Sequence, residues 1–418
     1  MGNNQHTVIQ PFAAAVPSAA GEQGDRPLPA RLADAGVDRR AFLKFCAGFT
    51  ATLALPARLA PRVASALAKV TRPVVVWLEF QDCAGDTEAF VRSRNPAAAD
   101  LVLGLISLDY HETLMAPAGV AAEQARDAAV ARGGHLLIVE GSVPTGIRGS
   151  CTIGGRAADD ILTTCARGAA GIINVGTCSA FGGIPNAHPN PTGAVKVEDV
   201  VSGVPVVNLS GCPVNADNLT ATIVHYLTFG EFPATDDFGR PLFAYGERIH
   251  DTCQRRGHFD AGQFAVEWGD EGHRSGWCLY RLGCKGPETF HNCPSVRYNE
   301  ATSWPVAAGH GCVGCSEPHF WDTMSPFYDR LPHVGGFRTH RGPARPDHRG
   351  GHRGRVRGAR RRQGRSAPCG DGPRHPGVAG RGSPGSGHVG RRWGSPARRL
   401  RRRAGRQVRE WHVWLLTR

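Results

Sequence analysis

The residues with the most chemistry to offer are cysteines, and their spacing is uneven. In WLEFQDCAGDTEAF, residues 77–90, Cys83 is followed three positions later by Asp86, where a paired metal hook would carry a second thiol. Further along, IHDTC supplies His250 and Cys253, GWCLYRLGC supplies Cys278 and Cys284, HNCP supplies Cys293, and HGCVGC supplies Cys312 and Cys315. That is six cysteines and one well-spaced histidine within 66 residues. A closed zinc site takes four ligands. Iron–sulfur clusters take thiolates, with an occasional histidine. Seven ligands divide as four plus three, which fits one four-iron and one three-iron cluster. Disulfides are the competing reading, but Cys312 and Cys315 in C-x-x-C make a poor structural disulfide and a good metal hook.

Other residues must hold these ligands in place. PVVVWLEF (73–80), ADLVLGLISLDY (99–110), GHLLIVEGSVP (134–144), GAAGIINVGTC (168–178) and VPVVNLSGCP (204–213) are apolar runs of buried-strand character. GVAAEQARDAAVARG (119–133) is Ala-rich and helical, and NLTATIVHYLTFG (218–230) is a helix ended by glycine. Strands alternating with helices predict a parallel, doubly wound α/β domain. In such sheets chemistry collects in loops past the carboxyl ends of the strands. Cys83, Cys178 and Cys212 each follow an apolar run, so three loops bring three thiols and Asp86 to one edge. From about Leu242 to Tyr328 the chain is rich in Gly, Cys and His, with few periodic runs. A segment of this kind buries little apolar surface and needs another staple, which metal would provide.

With 418 residues the chain is long enough for two domains, and 41% hydrophobic content suits a globular protein. The net charge of +13 is misleading. From Leu331 onward there are 23 Arg, no Lys and 3 acidic residues, which leaves 26 basic against 33 acidic residues before it. Most of the chain is therefore mildly acidic, and the overall charge is no argument for nucleic-acid binding. Residues 1–38 lack periodicity and read as disordered. DRRAFLKFCAGFTATLALP (38–56) carries Arg39 and Arg40 ahead of a short apolar run, and ASALAK (64–69) offers an A-x-A cleavage site. Together these are similar to a twin-arginine export signal; a buried N-terminal helix is the alternative. The Arg-, Gly- and Pro-rich tail is expected to lack a fold, either as a shifted reading frame in a GC-rich gene or as a disordered polycation for nucleic acid or anionic lipid.

The stretches WLEFQDC, VEGSVP, GTCSAFGGIPNAHPNPTGAV, NLSGCPVNADNL, YGERIHDTCQRRGHFDAGQFAVEWGDEG, CLYRLGCKGPETFHNCP and GHGCVGCSEPHFWD resemble the small, electron-transferring subunit of nickel–iron hydrogenases over roughly residues 72–335. The resemblance implies a flavodoxin-like domain over 69–238 and a loop-rich iron–sulfur domain over 239–335. It leaves 1–68 as extension and signal and 336–418 as the tail. It implies a proximal cluster on Cys83, Asp86, Cys178 and Cys212, a distal cluster on His250, Cys253, Cys278 and Cys284, and a medial three-iron cluster on Cys293, Cys312 and Cys315. It places the nickel–iron centre on a large-subunit partner, so this chain would conduct electrons to an acceptor. The carboxylate at Asp86 resembles the actinobacterial-type, high-affinity branch. Gly183 stands where oxygen-tolerant membrane-bound relatives carry an extra cysteine. Export by the twin-arginine route would make the protein periplasmic or membrane-associated, and cytoplasmic if the signal is not functional. A related quinone-reducing iron–sulfur subunit shares the first domain but lacks the second. An Arg-rich nucleic-acid binder would explain the tail alone.

Overall fold

The computed structural model describes residues 39–53, 55–69, 72–93, 105–299 and 301–330. The reading of 1–38 as disordered, and both readings of the tail, fall on residues outside these.

Five strands form one parallel sheet: β1 (Val74–Glu79), β2 (Ser107–His111), β3 (Leu136–Glu140), β4 (Gly171–Val175) and β5 (Val206–Leu209). Their order, β2-β1-β3-β4-β5, is that of a flavodoxin-like sheet, as expected. Every residue of β3 and β4 is buried, which is why these strands read as unbroken apolar runs rather than alternating ones. Alternate residues serve opposite faces. Val75 and Trp77 enter one core with Ile138, Ile173 and Leu209. Val76 and Leu78 enter the other with Leu137, Val139 and Ile172. Burying each such side chain contributes about 1.5–3 kcal/mol.

The helices in chain order are α1 (Arg39–Thr52), α2 (Ala60–Lys69), α3 (Gly85–Val91), α4 (Val120–Arg132), α5 (Ala158–Ala166), α6 (Gly176–Phe181) and α7 (Ala216–Phe229). α7 starts at Asn215, whose side chain accepts from the amides of Asp217 (3.0 Å) and Asn218 (3.3 Å). It ends, as expected, at Gly230 in a left-handed conformation.

The segment with signal character is folded onto the sheet domain. Phe42, Cys46, Phe49 and Leu53 are buried at spacings of four, three and four residues, one stripe of a helix. With Val63 and Leu67 of α2 they share the core of Val75, Trp77 and Ile223. The expected boundary at residue 69 thus divides segments with a common core. Among the described residues no helix is long and apolar enough to cross a membrane.

Residues 242–330 contain only short helices, among them Ile249–Thr252, Arg256–Asp260 and Cys293–Val296. Their small core of Ile249, Leu279, Leu282, Trp304 and Val306 includes the ligand candidates Cys293 and Cys312. The segment is loop-rich, as expected.

Candidate metal centres

The first group lies past the carboxyl ends of β1, β4 and β5. Cys83 precedes α3, Asp86 stands in its first turn, and Cys212 follows β5. Cys178 belongs to the first turn of α6 rather than to a loop. Burial, and then the charges of Cys315, Cys178, Asp86 and Cys83, push the Cys212 thiol up to about 12. Cys212 is exposed as a residue, but its sulfur is crowded by these neighbours. Cys178 is pushed up to about 12 by burial and then by Asp86.

Asp86 is buried, and burial followed by the Glu140 charge holds its carboxyl well above the usual range. Its Oδ1 accepts from the Val214 amide at 2.5 Å. A Cβ on Gly176, where φ is +78°, would lie 2.1 Å from Asp86 Oδ2, so only glycine leaves room for this carboxylate. Gly183 is similar: φ is +58°, and a Cβ would lie 2.4 Å from Cys178 Sγ. An extra cysteine at that position has no space beside this backbone.

Sequence reasoning passed over the residue that orients α3. Glu140, at the end of β3, is fully buried. It accepts from the amides of Asp86 (3.0 Å) and Thr87 (3.1 Å), from Thr87 Oγ1 (2.6 Å) and from Trp77 Nε1 (3.3 Å). A buried carboxylate at a helix N-terminus satisfies donors that have no partner within the helix. The signal was a glutamate closing an otherwise apolar strand. Glu79 lies beside it and accepts from Thr87 Oγ1 at 3.0 Å.

The second group is Cys293, Cys312 and Cys315. Burial pushes all three thiols up; the Cys315 charge adds to it at Cys293, the Cys284 and then the Cys315 charge at Cys312, and the Glu317 and Asp86 charges at Cys315. The Gly314 amide donates to Cys312 Sγ at 3.4 Å, and Cys293 Sγ lies 2.9 Å from His291 Nδ1.

The third group is Cys253, Cys278 and Cys284. Cys278 is pushed up to about 12 by burial and then by Cys284 and Cys253. Amides donate to these sulfurs too: Arg255 to Cys253 (3.4 Å) and Cys312 to Cys284 (3.3 Å). His250 stands on the same short helix one turn before Cys253, its ring edge-on to Phe259. Burial, and then Arg256, lower it to about 4, which keeps the imidazole neutral and able to ligate.

The groups form a file, with Cys212 facing Cys315 and Cys312 facing Cys284. Among the described residues no three His, Cys, Asp or Glu converge as a single ion requires. A cluster of several irons spreads its ligands wider than one ion does. None of the cysteines among the described residues is in a disulfide. Thiols crowded together, amides aimed at sulfur and glycines leaving room beside the ligands suit an iron–sulfur group. Cys46 and Cys165 lie in apolar cores instead. Cys151 packs on the second core, and its thiol is raised by burial and then by Glu112 and Asp82.

The C-terminal family of the NiFe/NiFeSe hydrogenase small subunit matches residues 245–328. The family described as NADH ubiquinone oxidoreductase, 20 Kd subunit, matches residues 83–226. The chain is 49% identical over 306 residues to the periplasmic NiFe hydrogenase small subunit 1 of Nitratidesulfovibrio vulgaris, covering 72% of this chain and 95% of that one. It is 46% identical over 301 residues to the quinone-reactive Ni/Fe-hydrogenase small chain of Wolinella succinogenes, covering 71% and 85%. Among solved structures, the NiFeSe hydrogenase of Dm. baculatum matches with a TM-score of 0.59 at 32% identity, covering 62% of this chain and all of that one. The actinobacterial-type NiFe-hydrogenase of Ralstonia eutropha matches with a TM-score of 0.57 at 28% identity, covering 62% and 83%. The chain belongs to the small subunits of nickel–iron hydrogenases, the iron–sulfur subunits that relay electrons from a large subunit bearing the catalytic site.

Proposed function

We propose that the relay has three stations. The proximal is held by Cys83, Asp86, Cys178 and Cys212 as a four-iron cluster. The medial is held by Cys293, Cys312 and Cys315 as a three-iron cluster, and the distal by His250, Cys253, Cys278 and Cys284 as a four-iron cluster. When bound, these clusters accept and pass single electrons. The observation that carries the reading is the file itself: three groups of thiols, each next to the following one, from the sheet edge to His250. The chain supplies ligation, amides aimed at sulfur, and burial of Asp86, Cys278, Cys293 and Cys312.

Asp86 gives the proximal site an oxygen ligand, which is harder than sulfur and donates less electron density to iron. Support comes from the room that Gly176 leaves beside Oδ2 while Oδ1 is held by Val214. The likeness to the actinobacterial-type structure fits the same branch. Asp86→Cys in the heterodimer tests this ligand. Redox titration should show a shifted proximal potential with iron content retained; an unchanged potential contradicts ligation by Asp86.

The protein is exported, in this reading, as the name of its periplasmic relative suggests. Arg40 is exposed at the start of α1, as a readable signal requires. N-terminal sequencing of the assembled enzyme checks it: a start near Lys69 supports processing, and a start at Met1 contradicts it. The tail is read as a shifted frame, which resequencing of the gene tests.

A further inference from the structure

A histidine ring stands against one of the sulfurs read as medial ligands. His291 Nδ1 lies 2.9 Å from Cys293 Sγ, within hydrogen-bond distance. His291 is 2% exposed, and its ring meets Tyr245 edge-on with centroids 4.9 Å apart. Tyr245 is itself fixed, its hydroxyl donating to the Ser210 carbonyl at 2.6 Å. The backbone beside the ring is pinned from two sides. The His291 amide donates to the Glu247 carbonyl at 3.2 Å, and the carbonyl of Phe290 accepts from Ser316 Oγ at 3.1 Å. The ring therefore has little freedom to turn away from the sulfur.

The surroundings decide which ring nitrogen carries the proton. Nε2 is buried and makes no hydrogen bond among the described residues. A proton there would be a buried donor without an acceptor. A ligating sulfur is a thiolate and has no proton to give. With Nδ1 bare, two lone pairs would then face each other across this contact. With the proton on Nδ1 the ring donates to the sulfur, and only an acceptor is left without a partner. Tyr298 packs on the same small core as Cys293, but its hydroxyl proton goes to the Pro213 carbonyl at 3.2 Å. A hydrogen bond to a ligand sulfur stabilises the more negative, reduced state of a cluster and raises its potential.

We propose that His291 is a positioning residue that donates its Nδ1 proton to the Cys293 sulfur and thereby raises the potential of the medial site. This rests on the medial reading of Cys293, Cys312 and Cys315. His291→Phe keeps a ring against Tyr245 and removes the donor. His291→Asn removes the ring and keeps an N–H donor on the same carbon that bears Nδ1.

The test is an EPR-monitored redox titration of the three-iron signal in purified heterodimers of the wild type, His291→Phe and His291→Asn, with iron content measured alongside. The expected result is a more negative medial midpoint in His291→Phe, a midpoint near that of the wild type in His291→Asn, and equal iron in all three. An unchanged midpoint in His291→Phe with iron retained overturns the proposal. Equal shifts in the two variants overturn it as well, because packing and not the donor would then set the potential. Loss of iron from His291→Phe also overturns it, since the side chain would be a brace for the site and not a tuner. A second measurement needs no variant. With histidine alone labelled by a nitrogen isotope, the wild-type three-iron signal should carry a histidine nitrogen coupling, and its absence contradicts the hydrogen bond. A wild type without a three-iron signal overturns instead the medial reading on which the proposal stands.

Discussion

Asp86 has two oxygens with different surroundings. One accepts from Val214, and the other faces the space left by Gly176. Gly176→Ala would add a Cβ at a positive φ, costing about 1–2 kcal/mol in backbone alone, and would push the carboxylate aside. It should lower the melting temperature of the heterodimer and alter the proximal EPR signal while leaving the medial signal unchanged. Glu140→Ala would strip acceptors from buried amides of α3 and should cost about 3 kcal/mol, read by denaturant unfolding. One contribution to the pH dependence comes from His111, which lies over Trp77 and is fully buried. Burial lowers it from 6.5 to about 4. The folded protein then resists a proton that the unfolded chain accepts. The stability His111 contributes is complete above pH 6.5 and is lost as pH falls through the folded value. The melting temperatures of wild type and His111→Gln should therefore draw together between pH 6.5 and 4. The cysteines that the structure brings near one another were already singled out in the sequence, because C-x-x-C and its neighbours have few other uses. Glu140 was not, because its value depends on which elements meet, and spacing along the chain does not carry that.

The elements divide in the same way. β1, β3 and β4 were legible because a strand buried on both faces leaves an unbroken run of Val, Ile and Leu. The end of α7 was legible from Gly230. The docking of α1 was only the alternative reading, a buried N-terminal helix, because LKFCAGFTATL reads as evenly apolar, while Phe42, Cys46, Phe49 and Leu53 in fact make one stripe. Cys178 reads as a loop residue because the apolar run continues almost to it, whereas α6 begins at Gly176. Asn215 caps α7 and its side-chain amide also donates to the Arg297 carbonyl, joining the sheet domain to the loop-rich segment. Asn215→Ala should cost about 1 kcal/mol for the lost cap, seen as a fall in denaturation midpoint.

At the scale of the molecule, the ligand candidates are unequally covered. Cys83 and Cys212 are exposed in this chain, while Cys278, Cys293 and Cys312 are buried. The edge carrying Cys83 and Cys212 is thus the most open of the three groups in this chain. The most direct test of the three-station account is the iron and acid-labile sulfide content of the purified heterodimer, read together with its EPR spectrum. The account predicts about eleven irons outside the large subunit's nickel–iron centre and a single three-iron signal. About ten irons with two three-iron signals would remove Asp86 from the ligand set. Zinc in place of iron, or no metal at these residues, would contradict the account.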